Sequence, residues 1–480
     1  MSHHDHPSDL PLFPHIDGNT ASRREFLKRS ALLSAVAATG APLALNLAAI
    51  GEAAAQNADG YKAIVCIFLN GGNDYANTLV PYDAPTWGAY NELRANLAYA
   101  RSELGSTVLV PQTALADGVQ YALPPELSEL LPIFGTDKTP RHLAPVLNVG
   151  TLVEPTTKAQ FQARSVRVPP RIGSHNDQAS YWQSSLTEGA TSGWGGRIGD
   201  LMAAGNGGSV FTCVGVGGNA VFLSGRSTAQ YQISSGGTLA VNGIKNKLGG
   251  SQACSDLLRE IMTKSASNHL LEREYVRVCE RSIDSESKLS SALSGIDVAG
   301  FADAATNSLA AQLKMVARMI KASGSLGLRR QVFMVSLGGF DNHSDLKKLH
   351  PVLLSKIGSA MASFYNATVA MGMADKVATF TASDFGRTLT SNSSGSDHGW
   401  GSTQFVMGGA VKGGNFIGKS PAFANNGPDD FGQGRLVPST SVDQLAATLA
   451  RWFGVSDGDI ATVMPNIVNF NDNRYLGFMG

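Results

Sequence analysis

Three stretches of this chain share one pattern: an apolar run that ends in glycine or another small residue and then an aspartate. Ala63-Ile64-Val65-Cys66-Ile67-Phe68-Leu69 leads into Asn70-Gly71-Gly72-Asn73-Asp74. Gln331 to Leu337 leads into Gly338-Gly339-Phe340-Asp341-Asn342-His343, and Val377 to Thr381 into Ala382-Ser383-Asp384-Phe385-Gly386-Arg387. Continuous apolar runs bounded by turn residues suit strands buried on both faces. Runs at 142–149 and 210–216 repeat the theme, and 404–407 reads as a further strand. Helical stretches are expected between them, at about 254–293, 304–322, 351–371 and 441–453. Strands alternating with helices predict an α/β fold around a largely parallel sheet. The Gly/Ser-rich stretch 217–251 and the polar helical segment after it read as an insertion or cap, about 217–300, within one domain spanning 56–480.

The first 55 residues do not belong to that domain. Ser22-Arg23-Arg24-Glu25-Phe26-Leu27-Lys28 precedes a mildly apolar run from Ala31 to Ile50, and Ala53-Ala54-Ala55 closes the stretch. This is the layout of a twin-arginine export signal cleaved near Ala55. Ser34, Thr39, Gly40, Pro42 and Asn46 make the run too polar and too broken for a spanning helix. The expectation is therefore a periplasmic or secreted protein that meets the twin-arginine translocase during export and keeps no stable membrane span afterwards. Such export moves folded proteins, often with a metal or cofactor already loaded. The 38 Lys and Arg balance 38 Asp and Glu, so no sequence-wide basic field exists to attract nucleic acid. The four cysteines lack metal-ligand spacing, and Cys66, inside an apolar run, is expected to be a buried free thiol.

In open parallel sheets ligands bind at the carboxyl ends of the strands. Asp74, Asp341 and Asp384 could converge there although they lie far apart in sequence. Asp341 and His343 are two residues apart and project to one side in extended chain. Asp397-His398-Gly399 follows in a loop after Asp384. Carboxylates with imidazoles are the ligand set of a divalent cation, with zinc, calcium and manganese as candidates, and such an ion can polarise a phosphoryl or sulfuryl oxygen. Asp74 and Asp384 read equally well as turn or capping residues. Ser174, at the start of a helix with Asp177 three residues on, is either a nucleophile or a cap; capping leaves His175 beside it unexplained. Arg387 is a candidate anion-binding side chain. His350 reads as structural, and Gly193-Trp194-Gly195-Gly196-Arg197-Ile198-Gly199 as a site of close helix packing rather than a nucleotide loop. No GxSxG elbow, Walker A loop, HExxH helix or EF-hand loop is present.

The twin-arginine leader, LNGGNDYANTLVPYD (69–83), GSHNDQASYWQ (173–183), GWGGRIGDLM (193–202), SLGGFDNHSD (336–345), SDFGRT (383–388) and SDHGWG (396–401) together resemble the bacterial domain of unknown function numbered 1501. The motifs follow in that family's order across nearly all of the mature chain. The family looks like a branch of the alkaline phosphatase and sulfatase superfamily, which implies a doubly wound, alkaline phosphatase-like α/β core with metal ligands at strand ends. By that resemblance Asp74, Asp341, His343, Asp384 and His398 would hold metal, and Ser174 or a metal-bound water would be the nucleophile. His175 and Arg387 would position the anion. Phe385 stands where the superfamily carries a histidine. The function so implied is a periplasmic metal-dependent hydrolase of small-molecule or glycan esters of phosphate or sulfate. The alternative is a non-catalytic exported envelope or glycan-binding protein that keeps the fold.

Overall fold

Every residue of the first apolar run is buried, and alternate residues serve two different cores. This run is β1 (Lys62–Asn70). Ala63, Val65, Ile67 and Leu69 join one hydrophobic cluster with helices Ser308–Lys321 and Leu346–Ala370. Ile64, Cys66 and Phe68 join another with helices Trp194–Met202 and Val442–Phe453. A strand with helices on both sides must be apolar throughout, which is why the run shows no period-two alternation. The computed structural model describes residues 60–264 and 269–480; the expected leader, residues 1–55, lies outside them.

In chain order the other strands are β2 (Val80–Pro81), β3 (Tyr121–Ala122), β4 (Leu143–Gly150), β5 (Cys213–Gly215) and β6 (Tyr231–Gln232). They are followed by β7 (Arg330–Gly338), β8 (Val377–Ser383), β9 (Ser402–Met407) and β10 (Thr440–Ser441). Eight of them form one sheet in the order β10-β4-β9-β8-β1-β7-β5-β6, while β2 and β3 pair separately. All pairings in the large sheet are parallel except the two that β9 makes, with β4 and β8. The sheet is thus a large, mostly parallel one with helices on both faces.

Register decides what the strand ends can do together. Asn70 pairs with Gly338, and Leu69 with Ser383, so β7, β1 and β8 end level with one another. Their three following loops therefore leave the sheet side by side. The Gly71-Gly72 turn lets two of them close in. A Cβ on Gly71 would lie 2.5 Å from the Asp341 backbone nitrogen, and one on Gly72 would lie 2.4 Å from the Phe385 ring. Both glycines also hold positive φ, 117° and 80°.

Two helices depart from expectation. The helix expected from 351 begins at Leu346, with Pro351 inside it. Burial of Leu346 and His350 outweighs the missing amide of the proline, and Asp345 turns the chain with φ 52°. The segment expected as one helix over 254–293 holds two, Gln252–Thr263 and Leu270–Leu293, with residues 265–268 between them undescribed. The glycine-rich stretch does serve packing: a Cβ on Gly196 would lie 2.1 Å from the Ser224 backbone. All four cysteines are free, and Cys66 is buried. Among the described residues no helix is long and apolar enough to cross a membrane.

Candidate metal centre

Asp341 stands three residues beyond β7, and three imidazoles gather around its carboxylate. His343 Nε2 lies 3.0 Å and His398 Nε2 3.1 Å from Oδ1, and His175 Nε2 lies 3.5 Å from Oδ2. His343 Nε2 and His398 Nε2 are 2.9 Å apart. His175 opens the helix His175–Ser184, and His398 comes from the loop after β8. That loop is fastened to the Asp341 loop by backbone bonds from Ser396 N–H to Asn342 O and from Leu346 N–H to Ser394 O.

The other nitrogen of each ring is already taken. His398 Nδ1 meets the Gly173 carbonyl at 2.7 Å, an atom that only accepts, so Nδ1 carries the proton. His343 Nδ1 meets Asp397 Oδ1 at 3.1 Å. Burial pushes the Asp397 carboxyl up, but bonds from Asn392 and His343 outweigh it and hold the group below its ordinary range. His175 Nδ1 meets Asp384 Oδ2 at 2.6 Å, and that oxygen also accepts the Gly71 N–H. Each Nε2 is therefore left as a lone pair, and these lone pairs face one another and a carboxylate. Acceptors facing acceptors at 2.9–3.5 Å repel unless a cation or protons lie between them. Ligands bonded at 2.0–2.1 Å in a tetrahedron stand about 3.3 Å apart, and His398 and His175 lie 3.1 and 3.5 Å from the two Asp341 oxygens. His175, Asp341 and His398 each offer one ligand atom, all within 4.8 Å of one another, a group that could hold a metal ion after a small closing of the side chains. Asp384 Oδ1 is buried with no hydrogen-bond partner among the described residues.

Charge around Asp341 is arranged to keep it ionised. Burial would raise its carboxyl, but the Arg387 guanidinium donates to it and sets a positive charge beside it, and the balance is downward. Burial lowers His398, against the bond its Nδ1 makes to the Gly173 carbonyl, so the neutral ring is favoured. Burial raises Asp384, with bonds from His175 and Gly71 opposing.

Three expected site residues take other places. Asp74, expected as a ligand, is buried and its oxygens are committed to protein donors. Arg94 bonds Oδ2 at 2.8 Å, Ser396 Oγ bonds the same oxygen at 2.9 Å, and the Asn77 N–H bonds Oδ1 at 3.0 Å. Ser174, expected as nucleophile or cap, sits at the N-cap position, but its hydroxyl donates to Asp177 Oδ2 at 2.7 Å rather than capping. Arg387, expected on the substrate, is fully buried. It bonds Asp341 Oδ1 at 2.8 Å, the Gly71 carbonyl at 3.0 Å and the Ser396 carbonyl, so it fixes Asp341 from behind. His343, Asp384 and His398 are brought together with Asp341 and His175. His350 is buried with Nε2 2.9 Å from Asn73 Oδ1. Sequence reasoning missed Arg94, Ser396 and the Gly173 carbonyl; an Asp-partnered buried arginine leaves no mark in its own neighbourhood of the chain.

Phe385 is buried with its ring 4.8 Å from that of His175 and 4.5 Å from that of His398. An open cleft adjoins the group, walled by Phe161, Phe431 and Arg435 beside His343, Asp397 and His398.

A family model described as a protein of unknown function, DUF1501, matches residues 61–467. No curated protein matches the chain in sequence. Among solved structures the chain is similar to the C-terminal periplasmic domain of EcEptC from Escherichia coli, in complex with Zn. The identity is 11% over 83% of this chain and 84% of that one, with a TM-score of 0.36, a likeness too slight to bear on the chemistry.

Proposed function

The chain belongs to the DUF1501 family of proteins of unknown function, and from that premise we propose that it is a metal-dependent hydrolase of phosphate or sulfate esters, exported to the periplasm and related to the alkaline phosphatases and sulfatases. The observation that supports this most is the set of three rings with Nδ1 fixed and Nε2 turned on one carboxylate. His175, Asp341 and His398 would hold a divalent cation, and Asp384 and the Gly173 carbonyl would orient the two rings from outside. When bound, such an ion polarises the ester oxygen.

The chain's own groups supply the rest. Arg387 keeps Asp341 in place and ionised. His343, about half exposed and held by Asp397, is positioned as a general base: a water proton passes to Nε2 as the water oxygen attacks phosphorus or sulfur, the ester bond breaks with its electron pair on the leaving oxygen, and that alkoxide takes a proton from bulk water in the open cleft. Arg435 on the cleft wall offers the guanidinium for the anion in place of Arg387. Ser174 is not part of this reading, because its hydroxyl is bound to Asp177. Export rests on the leader at 22–55.

The test is elemental analysis of the exported protein and of Asp341→Ala/His398→Ala, with an aryl phosphate and aryl sulfate screen on both. Stoichiometric zinc, manganese or calcium, lost together with turnover in the variant, is the expected result. A folded wild-type protein that takes up no metal would overturn the proposal. One observation favours the second reading, a non-catalytic glycan-binding protein: the Phe385 ring fills the place beside His175 and His398 where another imidazole would extend the site.

A further inference from the structure

A second groove opens on the same sheet edge, beside the helix that carries His175. Its wall includes Asn70 at the end of β1, Asn176, Ser180 and Gln183 along the helix His175–Ser184, and Glu188 and Asn219 from the segments that follow. Asn176, Ser180 and Gln183 recur at helical spacing, so one face of that helix looks into the groove. The groove offers about 460 Å³, within the range that holds small organic ligands.

The chemistry of the wall is selective. Glu188 is the one formally charged side chain among the lining residues, and none is cationic. An anion entering here would meet a carboxylate and no compensating charge. Four carboxamides offer the opposite of a charged site: paired donors and acceptors at fixed angles. Two of them are held in place by bonds to their own oxygens. Gln183 Oε1 accepts the Phe222 N–H at 3.1 Å, and Asn219 Oδ1 accepts from Gln232 Nε2. Their NH2 groups have no partner among the described residues and are left to donate. Glu188, and the oxygens of Asn70 and Asn176, can accept. Groups that donate and accept at once, closely spaced on an uncharged frame, are the hydroxyls of a carbohydrate.

The groove is also joined to the metal centre. Asn176 follows His175 directly, and the Asn70 carbonyl accepts the N–H of Phe340, the residue before Asp341. We propose that this groove is a sugar subsite: it holds a neutral carbohydrate ring whose phosphate or sulfate ester is presented to the Asp341 group. The ester half of this statement rests on the hydrolase reading, whereas the sugar half does not.

The test is saturation-transfer NMR on the mature, metal-analysed chain with cellobiose, maltose, di-N-acetylchitobiose and, as a cationic control, ethanolamine. Asn70 and Asn176 are exposed, so Asn70→Ala and Asn176→Ala are expected to fold, and metal content and circular dichroism check that they do. At least one disaccharide is expected to bind the wild-type protein. Each substitution should weaken it about fivefold, the worth of one lost hydrogen bond, and the pair more. His398→Ala should leave neutral-sugar binding unchanged. If His398→Ala removes metal and turnover while sugar binding persists, the two sites are separate as proposed. If the protein carries no metal yet binds sugar through Asn176, the hydrolase reading fails and the subsite stands. If none of the disaccharides binds, if binding ignores both substitutions, or if ethanolamine alone binds, the subsite is overturned.

Discussion

Asp74 and Asp341 stand in the same local sequence, Gly-Gly-X-Asp, after neighbouring parallel strands that end level, yet they have opposite fates. Asp74 is 1% exposed and its oxygens take bonds from Arg94, Ser396 and the Asn77 N–H. Asp341 has a side chain 44% exposed and is approached from in front by three imidazole Nε2 atoms, with one arginine behind. The first carboxylate is complete, and the second is not. A strand-end aspartate is thus closed off by protein donors or left half exposed among imidazoles according to which distant segment packs against it. Here the helix Ala84–Arg94 delivers a guanidinium to one, and the loop 396–399 delivers an imidazole to the other.

The largest expected effect separates the two by function. Asp341→Ala removes the one carboxylate common to the three rings, so metal uptake should disappear and ester turnover fall by on the order of a thousandfold. Folding stability should fall too, but by less than the loss of about 3–5 kcal/mol that follows a broken buried pair, because the fully buried Arg387 it leaves behind still bonds the Gly71 and Ser396 carbonyls. Elemental analysis, turnover and urea unfolding on one preparation read all three; metal retained in the variant would erase the distinction between the two aspartates.

The converse experiment strikes the complete carboxylate. Arg94→Leu leaves Asp74 charged and buried without its ion partner, which costs about 3–5 kcal/mol. Metal bound per folded molecule should stay the same. A loss below about 1 kcal/mol would mean that Asp74 is neutral in the fold, and the pairing with Arg94 would then not be what sets it apart.

Acidity sharpens the comparison further. His350 is buried close to Asp74 and Arg94, and burial, assisted by the charges of Arg94 and Arg387 against that of Asp74, lowers it to about 4. Its unfolded value is near 6.5, so between those limits the unfolded chain binds a proton that the folded chain does not. Stability from this group is therefore present above pH 6.5 and is lost as pH falls toward 4, by about 3 kcal/mol across the window. His350→Gln, which can still meet Asn73, should flatten the pH dependence of urea unfolding over that span. An unchanged slope would show the ring to be protonated in the fold.

These contrasts also mark what could be read from sequence. The runs at 63–69, 331–337 and 377–381 were legible as strands because burial on both faces leaves few polar positions, Gln331, Ser336, Thr379 and Thr381 among them, and no period-two alternation to confuse the pattern. Their shared ending in aspartate pointed to the edge of the sheet where Asp341 gathers three imidazoles. The choice between Asp74 and Asp341 was not legible, since it depends on Arg94 and on His398, 20 and 57 residues away. Arg387 looked like an anion ligand because a lone arginine beside a strand end gives no sign that backbone carbonyls will bury it. His175 could be flagged beside Ser174, but its carboxylate partner Asp384 is 209 residues distant. Pro351 misplaced a helix start by five residues, because tertiary burial of Leu346 overrode a local rule.

The smallest effect concerns how far the incomplete carboxylate depends on its surroundings. Asp384 touches the group only through His175, whose Nδ1 it holds at 2.6 Å, while its own Oδ2 is steadied by the Gly71 N–H at 3.2 Å. Asp384→Asn keeps the size and an oxygen that can accept from Nδ1, but removes the negative charge that makes the ring a stronger base. If His175 is a ligand oriented from behind, metal affinity should fall by about ten- to a hundredfold with little change in unfolding. The same substitution relieves a buried carboxyl that burial pushes up, so stability at neutral pH should hold or rise slightly. Competition against a chromogenic chelator reads the affinity, and thermal unfolding reads the stability. Unchanged affinity with raised stability would place His175 outside the ligand set and leave Asp341 and His398 to rely on His343 instead.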